Sequence, residues 1–389
     1  MIARTVLAAI AALLVATQVI RNAVVASLAD RRPVVAASFW SAHPAVEISS
    51  AMTWIAEAAR DNRAVPASTF PVMARAAAKD PLAPEPYLVR GVRAEVAGDG
   101  ATAQAAFEAA QWRDPRSLPA AYFLADRYFR TGDVRRGLDE VAGLSRLAPN
   151  GPATIGPYLA AYARNPAAWP ALRSMFRANP ELASPTLGAL AANMATVPAV
   201  LALADWREKP VGAPWLPRLL ETLTNAGQYA KARAIWARAS GASAEELIHD
   251  ASFGDKVAPP PFNWALTASG VGLAERQAGG RLHVIFYGQQ DGILASQLLL
   301  LQPGAYRLSM QLMGDPARAK LLNWSVWCDK AAAPIASATL DAAARGMRFD
   351  VPSGCDAQWL KLSGSSGDIS QQVDVTIAAL RLERVNRGA

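Results

Sequence analysis

The sequence predicts a multidomain chain of α and β class: an N-terminal membrane helix, an α-solenoid and a C-terminal antiparallel β-sandwich. Three observations predict it. An uncharged run follows Arg4, the punctuation Gly-Asp…Pro recurs 34 residues apart from Gly98 and Gly132, and helical periodicity gives way to short alternating runs after Pro259-Pro260-Pro261. The expected boundaries are a signal-anchor helix and juxtamembrane segment at 1–32, the solenoid at 33–258 and the sandwich at 259–389. With 52% apolar and 18% charged residues among 389, the chain is too apolar to be disordered.

The first element rests on TVLAAIAALLVATQVI, from Thr5 to Ile20, bounded by Arg4 and Arg21. Sixteen uncharged residues are few for a span, but a tilted helix carries Arg21 by snorkelling its stem to the interface. Three readings compete. An uncleaved signal anchor exports the rest of the chain, placing it in the periplasm as a single-pass inner-membrane protein. A cleaved signal peptide would use the small-x-small site Ser27-Leu28-Ala29, although this lies nine residues past the apolar run. Cytoplasmic retention is favoured by Arg21, Arg31 and Arg32 lying C-terminal to the run.

The second element rests on self-similarity. A shift of 34 sets Gly91 on Ala125, Ala103 on Gly137, Phe107 on Val141, Ala110 on Leu144 and Pro115 on Pro149. Small residues where two helices touch, a larger apolar residue four positions on and a closing proline describe a helical hairpin. Residues 84–117 carry Tyr87, Gly91, Ala103, Phe107, Ala110 and Pro115, and so resemble the tetratricopeptide repeat. Residues 118–151 repeat the pattern, and 50–83 do so more weakly, with Arg60-Asp61-Asn62-Arg63 in place of Gly-Asp and Pro71 inside the second helix. After Asn150 the period breaks into helical runs separated by prolines. It recovers at Gly227, Ala232, Trp236 and Ala239, and Ser243 to Glu246 reads as the cap of one last helix. The resemblance implies a concave face for a protein partner of unknown identity; the competing reading is a spacer that holds another domain away from the membrane.

The third element rests on seven short runs after the prolines, among them RLHVIFY, YRLSMQLM, LLNWSVWC and QWLKLS. LLLLQPGAYRLSMQLMG, from Leu298 to Gly314, resembles the central hairpin of jelly-roll domains of the galactose-binding or carbohydrate-binding-module type. Alternation is an independent guide. Leu322, Trp324, Val326 and Cys328 share one face, which puts Trp327 outward; Leu360 and Leu362 face the core, which puts Trp359 outward beside Lys361. The two cysteines, Cys328 and Cys355, are expected to form a disulfide in an exported protein, bringing Trp327 near Trp359 as an aromatic platform for a polysaccharide. Arg307, Gln311, His283 and Tyr287 also alternate outward and would add hydrogen bonds if they share that sheet. The competing reading has both tryptophans covered by a loop or by the solenoid.

The remaining observations exclude functions. The charge of +7 is diffuse, so no nucleic-acid stripe is expected. Three histidines without metal-ligand spacing, and no GxSxG, P-loop or dinucleotide loop, lead us to expect no catalytic residue, metal or cofactor. Two functions of different class remain: a non-enzymatic envelope scaffold in which the solenoid binds protein and the sandwich contacts polysaccharide, as exopolysaccharide or cell-envelope assembly would need, or a protein-only adaptor.

Overall fold

The computed structural model describes residues 2–385 except 244, 315–317 and 368. The chain divides into two compact units, Met1–Pro152 and Ala153–Ala389.

The first unit is helical. It comprises α1 (Ile2–Leu28), α2 (Pro33–Trp40), α3 (Pro44–Arg60), α4 (Thr69–Lys79), α5 (Glu85–Val96), α6 (Gly100–Arg113), α7 (Leu118–Thr131) and α8 (Val134–Leu147). The last six pack as three consecutive hairpins, α3 with α4, α5 with α6 and α7 with α8, with α4 also touching α5 and α6 touching α7. Their turns explain the Gly-Asp punctuation. Gly98 and Gly132 adopt φ of +76° and +81°, a left-handed conformation that ends one helix at little steric cost. Each following aspartate then caps the next helix, Asp99 accepting from the Thr102 N–H at 3.1 Å and Asp133 from the Arg136 N–H at 3.2 Å. In the weak first hairpin Asn62 takes over the left-handed role, at φ +51°. Pro71 is harmless because it is the third residue of α4, where no intrahelical partner for an N–H exists.

Packing explains the rest of the pattern. Ala103, Phe107 and Ala110 are buried, as is Gly137. A Cβ on Gly91 would lie 2.5 Å from the Phe107 ring, so glycine there is what lets α5 and α6 approach. The Phe107 ring in turn stacks on Phe123 of α7, centroids 4.6 Å apart, carrying the packing into the next hairpin.

After α9 (Gly151–Tyr162), the helices α10 (Trp169–Ala178), α11 (Ala183–Ala191) and α12 (Val197–Leu203) follow a shorter rule. Asn165, Asn179 and Asn193 recur every 14 residues, each opening a single 3-10 turn that runs into a helix of seven to ten residues. Asn165 and Asn193 cap these turns through their side chains. The 34-residue period ends because one short helix now replaces each hairpin. The hairpin returns as α13 (Trp215–Asn225) and α14 (Tyr229–Ser240), with Gly227 at φ +73° and Trp236 fully buried. The helix expected at Ser243 to Glu246 is absent from the described residues. Ser243 instead accepts from the Glu245 N–H in a turn, and residues 247–255 run on to the sandwich, where Phe253 enters the core.

The β-sandwich has two antiparallel sheets. Its strands are β1 (Ala265–Leu266), β2 (Ala268–Ser269), β3 (Gly272–Gln277), β4 (Arg281–Phe286), β5 (Gly292–Leu299), β6 (Gly304–Gly314), β7 (Leu322–Cys328), β8 (Ala336–Thr339), β9 (Met347–Val351), β10 (Gln358–Gly364) and β11 (Val373–Val385). One sheet runs β1-β5-β10-β7-β8 and the other β2-β3-β4-β11-β6-β9. Trp264, Trp324, Phe286, Tyr306 and Leu362 fill the layer between them. The triple proline is packed rather than free: Trp236 of α14 donates to the Pro259 carbonyl at 2.9 Å, and Leu298 of β5 donates to that of Pro261 at 2.8 Å.

Gly91→Ala is expected to lower the stability of the helical unit by about 1 to 3 kcal/mol by overpacking against Phe107. In a Phe107→Ala background the same change should cost much less, which thermal melts of the four proteins of the cycle will measure.

Candidate functional site

Alternation places the two tryptophans, and register brings them together. In β7 Leu322, Trp324 and Val326 face the core, and Asn323, Ser325 and Trp327 face out. In β10 Leu360 and Leu362 face the core, and Trp359, Lys361 and Ser363 face out. The strands are neighbours, with Trp359 directly opposite Trp327 and Lys361 opposite Ser325. The Cys328–Cys355 disulfide is formed, with Cα atoms 5.4 Å apart, and ties the end of β7 to the approach to β10.

Polar contacts then hold both indoles. Trp327 donates to the Ser325 hydroxyl at 2.9 Å, and the Lys361 ammonium lies 5.2 Å from the centre of the Trp327 ring, within cation–π range. Trp359 donates to Asp329 Oδ1 at 2.9 Å. The other Asp329 oxygen accepts from the Tyr229 hydroxyl of α14. Burial, then the Asp329 hydrogen bond and the charges of Asp329 and Asp356, push the Tyr229 phenol up to about 12, so it remains a donor. Lys330 adds a bond to the Asn225 carbonyl at 3.2 Å. The tryptophans are therefore half-buried: Trp359 is linked through Asp329 to the start of α14, and Lys361, Ser363 and Asn323 on the same face are half-buried too. Tyr229 and Asp329 were not legible as site residues, since they lie 100 positions apart and carry no motif.

The remaining candidates do not join this face. His283 on β4, Tyr287 just after it, and Arg307 and Gln311 on β6 belong to the six-stranded sheet, on the opposite side of the sandwich. The condition that they share the tryptophan sheet is not met, because the chain crosses between layers from β4 to β5 and back again from β5 to β6. Their surroundings also differ. His283 bridges Glu275 at 3.2 Å and Asp374 at 2.8 Å. Burial alone would lower its pKa, but hydrogen bonds to Asp374 and Glu275 and their charges outweigh this and raise it. Arg307 stands opposite Arg348 and donates to the Arg345 carbonyl at 3.1 Å. Gln311 is exposed, and the Tyr287 ring is partly so.

The sequence matches no family model and no curated protein. The site therefore stands on geometry: a cross-strand aromatic pair flanked by an ammonium and small polar side chains. Among the described residues, no group of three or more His, Cys, Asp or Glu is placed to hold a metal.

Removing the disulfide with Cys328→Ser and Cys355→Ser together should lower stability by roughly 3 to 4 kcal/mol, the loop-closure value for a span of this length. Chemical denaturation of oxidised, reduced and double-mutant protein will measure it. His283 supplies a pH signature. Because its folded pKa is raised above 6.5, its contribution is fully present below that value and is lost as pH rises through the folded pKa. The advantage of the wild type over His283→Gln in melting temperature should thus be full below 6.5 and shrink as pH rises above it.

Proposed function

We propose that this protein is a non-enzymatic, membrane-anchored envelope scaffold whose tetratricopeptide-type hairpins bind a protein partner and whose sandwich contacts polysaccharide. The observation that carries the reading is the register pairing of Trp327 with Trp359, with Lys361 over the Trp327 ring and Ser325 opposite Lys361. Aromatic faces are electron-rich and attract the C–H groups of a sugar ring, and the neighbouring ammonium and hydroxyls suit its oxygens. Support for the protein partner comes from a groove of about 500 Å³ between α4 and α5, lined by Phe70, Met73, Tyr87, Arg90 and Arg93. Anchorage by α1 is supported by its apolar stretch from Val6 to Leu28, and export by the disulfide, which persists in oxidising compartments. Such a protein would sit in the inner membrane with its bulk in the periplasm.

A protein-only adaptor is the second reading. It is favoured by the bond from Tyr229 to Asp329, which makes the tryptophans part of the seam between α14 and the sheet. Co-sedimentation of the full chain in detergent with a panel of insoluble polysaccharides separates the two. Trp327→Ala is expected to weaken retention by about tenfold, equivalent to about 1.4 kcal/mol, with Lys361→Ala weakening it less. Absence of retention across the panel, or retention indifferent to both changes, favours the adaptor.

A further inference from the structure

One face of the last third of α1 is covered, and what covers it carries its own apolar surface. Val6 to Ile20 present exposed apolar side chains, Val19 being 61% exposed. From Arg21 onward α2 folds back along α1: Ala36 packs with Val25 and Ala29, and the Arg21 guanidinium lies 4.6 Å from the centre of the Trp40 ring. This register puts the end of α2 beside Arg21 and its start beside Leu28. Phe39 is 48% exposed at the tip, one helical turn after exposed Val35. Immediately past the tip, Lys79 reaches the Ala42 carbonyl at 2.9 Å and Glu47 at 3.0 Å, and Arg75 lies 3.7 Å from Glu47.

These observations fix a level. Ionised side chains of α3 and α4 cannot enter hydrocarbon, so the apolar layer ends at the tip. The bare stretch from Val6 to Ile20 is about 22 Å long at 1.5 Å per residue, short of a core of about 30 Å. An arginine stacked on tryptophan next to that stretch has the chemistry of a membrane–water interface, where Trp rings concentrate and Arg stems snorkel. Around the tip, three cations, Arg21, Arg75 and Lys79, stand with two carboxylates, Glu47 and Asp80, and the remaining positive charge suits anionic headgroups.

We propose that the corner joining α2 to α3 is a lipid-binding foot, with Phe39 inserted at the acyl boundary and the Arg21–Trp40 pair among anionic headgroups. This rests on the reading that α1 crosses a membrane. Depth-dependent quenching tests both separately. Full-length protein carrying Val15→Cys, Phe39→Cys or Ala59→Cys is labelled with an environment-sensitive fluorophore under non-reducing conditions and reconstituted into phosphatidylcholine vesicles with or without phosphatidylglycerol. The label at residue 15 is expected to be quenched by a nitroxide deep in the acyl chain. The label at 39 should be quenched by a nitroxide near the headgroup, lose quenching by aqueous iodide and respond more strongly with phosphatidylglycerol present. The label at 59 should respond to iodide alone. If residue 15 is quenched while residue 39 stays as open to iodide as residue 59, the foot is refuted and the anchor stands. If residue 15 is also aqueous, the anchor itself fails. Equal depth at residue 39 with and without phosphatidylglycerol overturns the headgroup recognition.

Discussion

The carboxylate of Asp329 accepts from donors in two different layers, the Trp359 indole of the sheet and the Tyr229 phenol of α14, and the Cys328–Cys355 bond fixes the turn on which it stands. Its own N–H donates to the Ala357 carbonyl at 2.9 Å, so the backbone is held as well as the side chain. Hydrogen bonds to an ionised acceptor are the stronger kind, and a carboxylate left here with one donor would lose solvation it has already given up. Helices and sandwich of the C-terminal unit therefore share a polar joint, with Trp236 and the prolines forming an apolar one beside it. The aromatic pair takes its position from both.

The N-terminal unit depends on a different constraint, close approach of backbones. Gly91 against Phe107, and Gly137 against Phe129, where an added Cβ would lie 3.0 Å from the ring, bring paired helices within reach of one large ring each. Burial in this unit comes largely from alanines, with few large side chains, so each hairpin stands by stacking on its neighbours. Tyr87, Arg90 and Arg93 lie along an open groove in the same unit.

The two outer faces of the sandwich have diverged. The five-stranded sheet carries aromatic rings supported by hydrogen bonds; the six-stranded sheet carries ionic pairs, with His283 between two carboxylates and arginines aligned across β6 and β9. Exposed charge pairs of the second kind contribute little in water.

Local rules written in the chain determined much of this protein. Gly98-Asp99 and Gly132-Asp133 specify turn and cap within a few residues, and period-two alternation in β7 and β10 fixes which tryptophans face outward, so hairpins, sandwich and disulfide were all legible. The 14-residue asparagine rule was present too, in Asn165, Asn179 and Asn193, but it was masked by the expectation of hairpins. Sheet membership was not legible, because alternation assigns a side of a strand and not which of two layers the strand joins. Topology thus separated Arg307, Gln311, His283 and Tyr287 from the tryptophans. The fold-back of α2 onto Arg21 and the meeting of Tyr229 with Asp329 also belong to tertiary structure alone, since each depends on where long-range packing brings two segments that share no local signal.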